Sequence, residues 1–403
     1  MAYATEPLAK SAHDAPKDNV PSSPPRRDSD TLAGVSDTGA DNPIAQRKAD
    51  HLALCAEEDV GFRGASTLLE CVRLVHDALP DMKLSDVDTS VTLFGKRLRA
   101  PVVIASMTGG TDEASRINRD LAHIAEERGY AFGLGSQRAM HLRPGTADTY
   151  RVRQLAPTTL LLGNVGVVQA RSMTTSEVRV LVDEVGADAL CIHMNPAMEL
   201  VQSGGDRDFS HGLATIGRLV QDLGVPVIVK ETGCGISPGV AKRLRDVGVR
   251  HVDVSGAGGT SWVGVETKRA QAAGDAPARA LGEAFWDWGI PTAASVALLA
   301  PMGFETIIAT GGVATGLDVA RAIALGASAA GIARPLLRAL SGAGSSGPGA
   351  VSALLDGVES ELRAAMLLTG SRDRAALRRA PRVITGELGT WIEALGCKEP
   401  VQK

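Results

Sequence analysis

A chain of 403 residues with 44% hydrophobic and 22% charged residues has the length for one large or two medium globular domains. Its net charge of −4 lacks the basic footprint of a general nucleic-acid binder, so no nucleic-acid partner is expected. Aromatics make up only 3%, and a core of Val, Leu, Ile and Ala suits buried parallel strands and Ala-rich helices better than an all-β sandwich.

Residues 1–42 are rich in Pro, Ser, Asp and Ala around PSSPPRRDSD. They bury too little apolar surface to offset the entropy of ordering, which predicts a disordered tail. Helical character starts near Ile44, in PIAQRKADHLALCAEE. From Pro101 short apolar runs recur: PVVIA (101–105), YAFGL (130–134), TLLLG (159–163), DALCIH (188–193), PVIVK (226–230), RHVDVS (250–255), TIIAT (306–310) and AAGIA (329–333). Helix-like segments such as SEVRVLVDEVGA and GVAKRLRDVGV lie between them, and strands alternating with helices mean βαβ units and a parallel sheet. IPTAASVALLA would pass for a ninth strand, but Pro291 before small residues and Leu reads as a helix N-terminus. KRAQAAGDAPARALG reads as a mobile, insertion-like loop at the barrel mouth, FWDWGIP as tryptophans packing a helix on the barrel, and His141 and His211 as ordinary loop residues.

Eight such units over about 250 residues predict an α/β fold, the (β/α)8 TIM barrel. Its core spans about 100–340, inside one domain of residues 43–403 with an N-terminal helical extension and C-terminal helices. A doubly wound sheet would carry its glycine fingerprint after the first strand, whereas here the phosphate-like loops follow the last two. No apolar run approaches the ~20 residues of a membrane span, and the N-terminus has no signal-peptide core. The five cysteines, Cys55, Cys71, Cys191, Cys234 and Cys397, show no CxxC or Cys/His ligand spacing. Reduced thiols in a cytoplasmic protein without a membrane partner are therefore expected.

Barrel chemistry belongs to the C-terminal ends of the strands. Those positions read SMTGGT, GSQR, NVG, HMNPAME, KETGCG, SGAGGTSW, GGVATG and AR. After the seventh strand Gly311 and Gly312 allow backbone N–H groups close to a phosphate. After the eighth, Ala333 and Arg334 open a helix whose N-terminus favours an anion. Lys230 ends the fifth strand, where burial calls for an anionic partner; an ion pair with Glu231 or another carboxylate would satisfy it, and so would a reduced flavin, whose mononucleotide also supplies one phosphate. Thr108, Ser136 and Asn164 stand where they could bond flavin ring edges. A second set is more basic than a flavin needs. Arg47 and His51 share a helix face with Lys48 between them, and Arg138 ends the second strand. With His193, Asn195 and Glu199 they could hold a diphosphate and its Mg2+, because arginine binds phosphate oxygens in pairs and Mg2+ takes few protein carboxylates.

These residues resemble the type 2 isopentenyl-diphosphate isomerases. The resemblance rests on RKADH (47–51), SMTGGT, GLGSQR, GNVG, HMNP with Glu199, GGDRDF (204–209), VKETGCGIS (229–237), DVSGAGGTSW (253–262), Glu266 and TGGVATGLDVARAIALGA, and continues through LLTG and VITGEL to about residue 395. It implies FMN contacts at Ser106, Met107, Thr108, Ser136, Asn164, Lys230, Ser255, Thr260, Gly311, Gly312, Val313, Ala333 and Arg334. It implies a substrate cluster of Arg47, Lys48, His51, Ser136, Gln137, Arg138, Asn195 and Met198, with Glu199 on Mg2+ and Glu266, Trp262 and His193 as catalytic groups. The implied reaction is conversion of isopentenyl diphosphate to dimethylallyl diphosphate, a redox-neutral proton shift over FMN reduced by NAD(P)H. The implied assembly is a homo-oligomer, a tetramer or octamer.

One position departs from the pattern: the family reads His-x-Asn-Pro-x-Gln-Glu, and Met198 stands in the Gln place. Methionine neither donates a strong hydrogen bond nor relays a proton. The alternative is thus an FMN-dependent relative acting on another isoprenoid-like diphosphate or by another reaction. A 2-hydroxy-acid-oxidase-like flavin oxidoreductase would need a base histidine after the sixth strand, where this chain has GAGGTSW. An idle FMN-binding protein would have no need of the retained Arg47, Lys48, His51, Arg138 and Glu199.

Overall fold

A computed structural model describes residues 43–342 and 346–396; the tail expected over 1–42 lies outside the described residues. Eight parallel strands form a closed barrel: β1 (Val102–Ile104), β2 (Ala131–Gly133), β3 (Leu160–Gly166), β4 (Ala189–Met194), β5 (Val227–Glu231), β6 (His251–Asp253), β7 (Thr306–Ala309) and β8 (Ala329–Ile332). Closure comes from β8 against β1, with Ala330, Gly331 and Ile332 opposite Val102, Val103 and Ile104. Every expected run overlaps its strand; β3, β4 and β5 continue one to three residues past the C-terminal end of the run.

Strand alternation divides the core in two. Val103, Leu160, Leu162, Cys191, Ile228 and Ile308 pack together inside the ring, while their neighbours Val102, Ile104, Leu161, Ile192 and Val229 pack outward with the helices. A hairpin of Val91–Leu93 and Lys96–Leu98 adds Val91, Leu93 and Leu98 to the inner cluster and closes the end opposite the site. The sequence reading had no strand here, nor for the antiparallel pair Val72–Leu74 with Arg382–Ile384. Three-residue strands show no periodicity, and the second pair joins segments at opposite ends of the chain.

Helices start where their caps dictate. Thr174 with Glu177, and Thr315 with Asp318, form reciprocal capping boxes, and Thr292–Leu299 follows Pro291 as expected. The expected mobile loop KRAQAAGDAPARALG is instead helical, split between Trp262–Ala272 and Ala276–Ala284. Asp275 caps the second of these through the Ala278 N–H at 3.0 Å, a local signal the loop reading passed over. His141 lies in the short helix Arg138–Leu142. Trp286 packs as expected and donates to the Gly61 carbonyl at 2.8 Å, but Trp288 is 60% exposed.

Candidate active site

A cavity of about 640 Å3 opens at the C-terminal ends of the strands, the place a barrel reserves for chemistry and a volume usual for a cofactor with its substrate. Two kinds of surface meet in it.

One is made by the barrel. Ser106, Met107 and Thr108 after β1, Ser136 after β2, Asn164 on β3, Lys230 on β5, Ser255 and Thr260 after β6, Gly311, Gly312 and Val313 after β7, and Ala333 and Arg334 after β8 all line it. Gly311 and Gly312 have φ of +102° and +75°, conformations that glycine adopts without strain. Close packing demands glycine as well: a Cβ on Gly311 would stand 2.2 Å from the Gly256 carbonyl oxygen, and one on Gly312 would stand 2.4 Å from Thr67. Lys230 finds its carboxylate in Asp253, at 2.7 Å and fully within the barrel. Glu231 is not its partner. That side chain turns to accept the N–H groups of Thr232 and Gly233, both at 2.6 Å, and of Cys234. Burial pushes the Glu231 carboxyl up to about 7 against the pull of those donors. Arg334, expected at the phosphate, lines the cavity, and its guanidinium donates to the Cys55 carbonyl at 3.2 Å and the Glu58 carbonyl at 2.7 Å.

The other surface hangs on the helix Pro43–Glu57. Arg334 and Arg338 pin the C-terminal end of this helix by binding its last carbonyls, where cations also suit the dipole. Arg47, Lys48, His51, Leu52 and Cys55 thereby face the cavity. No described residue hydrogen-bonds Arg47, and burial followed by repulsion from Arg138 lowers its pKa. The Lys48 ammonium sits on the Gly109 carbonyl and donates to Tyr150 Oη at 2.8 Å. Burial, then the charges of Arg47 and Arg143, push it down to about 7. Arg138 lies 3.4 Å from Asp206.

His193 and Asn164 interlock. Asn164 Nδ2 donates to the Leu134 carbonyl at 3.1 Å, so its oxygen faces His193 Nδ1 at 2.8 Å and takes that proton. Burial, then Lys230 and Arg138, push His193 down to about 4. The ring is therefore neutral near pH 7, with a lone pair on Nε2. Glu199 lines the cavity with Oε1 accepting from Asn195 at 2.9 Å, and Oε2 accepting from Gln202 at 3.1 Å and from the Asp206 N–H at 2.8 Å. Among the described residues no three His, Cys, Asp or Glu side chains converge as metal ligands. A divalent cation on Glu199 would thus need phosphate oxygens to complete its shell. Met198 also lines the cavity, 3.8 Å from Asn195 Nδ2.

Two expected site residues are held behind the surface. Gln137 is completely buried; its oxygen accepts the Asn164 N–H at 2.9 Å and its nitrogen donates to the Leu181 carbonyl at 2.8 Å, so it shapes the wall instead of touching a ligand. Glu266, 1% exposed, meets His51 Nε2 at 2.6 Å and Arg269 at 2.7 Å. Burial would raise this carboxyl, but those two partners outweigh it and hold it below the usual range. Glu266 therefore reaches the cavity through His51, whose ring stands edge-on to Trp262 at 5.2 Å. The sequence reading missed Asp253, although an acid inside the apolar run RHVDVS demands a buried partner. It also missed Phe62 and Gln169, which line the cavity and carry no local signal.

The residues present fit FMN: a buried cation, hydroxyls at adjacent strand ends, and glycine backbone beside a helix start. Comparison with known proteins agrees. The model of the FMN-dependent dehydrogenase family matches residues 40–195 and 193–383. Proteins named isopentenyl-diphosphate delta-isomerase are similar throughout: 44% identical in Methanosarcina acetivorans over 88% of this chain and 96% of the relative, and 46% in a Synechococcus strain over 84% and 96%. Among solved structures, a mandelate oxidase mutant carrying an FMN monooxide adduct superposes with a TM-score of 0.55 at 19% identity, over 83% of this chain and 95% of that one, a likeness of fold alone. The chain belongs to the FMN-dependent dehydrogenase family and, within it, to the isopentenyl-diphosphate delta-isomerases, which are flavin-dependent isomerase enzymes.

Proposed function

We propose that this enzyme converts isopentenyl diphosphate to dimethylallyl diphosphate by an allylic proton shift over reduced FMN, with Mg2+ held between Glu199 and the diphosphate. The observation that carries the reading is one cavity lined on its barrel side by a flavin-like set and on its helix side by Arg47, Lys48 and His51, with Arg138 and Glu199 beside them. Reduced FMN, when bound, supplies an electron-rich ring able to exchange a proton with a neighbouring carbon and to stabilise positive charge there. The protein's part is positional and electrostatic. Arg47 and Arg138 grip phosphate oxygens, Glu199 bears the metal, and fixing the diphosphate holds the alkene end against the ring. His51, backed by Glu266 and Arg269, gives a buried carboxylate an outlet to the cavity for holding or moving a proton. Trp262 walls the apolar end.

The proposal includes NAD(P)H as the source of electrons, a cytoplasmic homo-oligomer of four or eight subunits, and a single catalytic domain from residue 43 onward. Met198 favours a second reading, a different isoprenoid-like diphosphate or reaction, because it removes a polar group from the reacting end. Anaerobic incubation of photoreduced, FMN-loaded protein with Mg2+ and isopentenyl diphosphate in deuterated water tests the first reading. Deuterated dimethylallyl diphosphate is expected; bound substrate without exchange would transfer the assignment to the second.

A further inference from the structure

Lys230 on β5 and Asp253 on β6 are register partners, and their side chains meet at 2.7 Å with 7% of each exposed. Thr310, just past β7, donates to the same carboxylate oxygen at 3.0 Å, and the Ser255 N–H approaches the other at 3.3 Å. Lys230 and Thr310 line the cavity, while Asp253 stands behind them and is absent from its wall. The ammonium that faces the flavin side is therefore one half of a buried, electrically neutral pair.

We propose that Asp253 is a positioning residue that sets the reduction potential of the flavin by cancelling the charge of Lys230. The inference rests on FMN occupying this cavity, as the proposed function requires. A lone buried ammonium would favour the electron-rich form of a neighbouring ring, because Coulomb interactions strengthen away from water and charge near the ring is a main lever on a flavin. The Lys230–Asp253 pair keeps the directed N–H donors and removes most of that field. The reduced ring then stays a strong electron donor, as stabilising a cationic carbon requires. Thr310 and the Ser255 N–H keep the carboxylate turned toward Lys230 and away from the cavity.

The test is the two-electron midpoint potential of the FMN-loaded full chain, read by equilibration with a redox dye. In Asp253→Asn the uncompensated ammonium should raise the reduced-to-oxidised ratio at fixed potential at least tenfold, about 30 mV for a two-electron couple. Lys230→Met leaves the carboxylate alone and should lower the ratio by a similar factor. The double variant Lys230→Met/Asp253→Asn, neutral again, should return to within threefold of the native ratio, which a merely structural role would not produce. An Asp253→Asn protein that holds FMN with an unchanged or lowered ratio overturns the proposal. If that variant does not fold, Lys230→Met with an unchanged or raised ratio overturns it equally. Native protein that takes up no FMN would refute the functional reading itself, an outcome separate from flavin-loaded variants that fail to shift.

Discussion

Replacing Lys48 by arginine is expected to change the pH dependence of catalysis, not only its rate. Burial and the neighbouring charges of Arg47 and Arg143 bring Lys48 from 10.5 down to about 7, so in the free enzyme about half of it is charged at pH 7 and only about one part in eleven at pH 8. On the proposed function, a cation beside the diphosphate is lost as pH rises. Because kcat/KM reports ionisations of the free enzyme, the native profile for isopentenyl diphosphate should fall about tenfold per unit above pH 7 to 8. Arginine stays charged throughout, so Lys48→Arg should lack this limb. The ratio of variant to native should climb about tenfold between pH 8 and 9. Ionisation of the substrate is common to both proteins and cancels in that ratio. The assay is initial rates at saturating Mg2+ with prereduced enzyme. Parallel profiles would refute the reasoning and reduce Lys48 to a strut between the Gly109 and Ser136 carbonyls and Tyr150.

Met198→Gln should raise turnover if the thioether impairs the isomerase; an unchanged or lower rate would show that the cavity works around it. Gly312→Ala, forced to φ +75° with its Cβ 2.4 Å from Thr67, should cost about 1–3 kcal/mol in denaturant unfolding, and an unchanged midpoint would contradict the packing described for these loops. His193 titrates at about 4 folded and about 6.5 unfolded. It has no effect above pH 6.5; as pH falls below that value the unfolded chain takes the proton first, and stability drops by about 1.4 kcal/mol per unit until about pH 4. Glu231, raised to about 7, acts in the opposite sense between about 4.5 and 7. The comparison must therefore be His193→Gln against native protein: the variant's stability relative to native should improve on acidification, and its failure to do so would refute a neutral, buried His193.

The barrel was legible because each parallel strand, covered on both faces, must be apolar along its length, and runs such as PVIVK and TLLLG have few other uses. Strand ends were legible by position alone, which is why Ser106, Asn164, Lys230 and the Gly311–Gly312 pair were found. The direction of a side chain was not. Gln137 sits between two cavity residues, Ser136 and Arg138, yet turns inward to backbone atoms, and Glu266 lies one helical turn beyond Trp262 but behind His51. Those outcomes depend on which element packs opposite, and the sequence carries no trace of that within a few residues. Asp253 differs: a carboxylate in the middle of an apolar run announces a buried counter-charge, and that signal was present in the sequence although the reading passed over it; only the register of two neighbouring strands identifies Lys230 as the partner.

The segment Pro43–Glu57 lies outside the ring of strands yet brings Arg47, Lys48 and His51 to the cavity. On the proposed function, cofactor retention and much of the anion capture fall to different stretches of polypeptide, joined by the two arginines that clasp the end of that segment, by the Arg269–Asp50 and His51–Glu266 contacts, and by Leu52 and Cys55 in the core. On that reading, a descendant that rewrote the cavity-facing positions of those fifteen residues while keeping Leu52 and Cys55 in the core would stay yellow and hold pyrophosphate esters less well, so new chemistry could be recruited here without rebuilding the barrel.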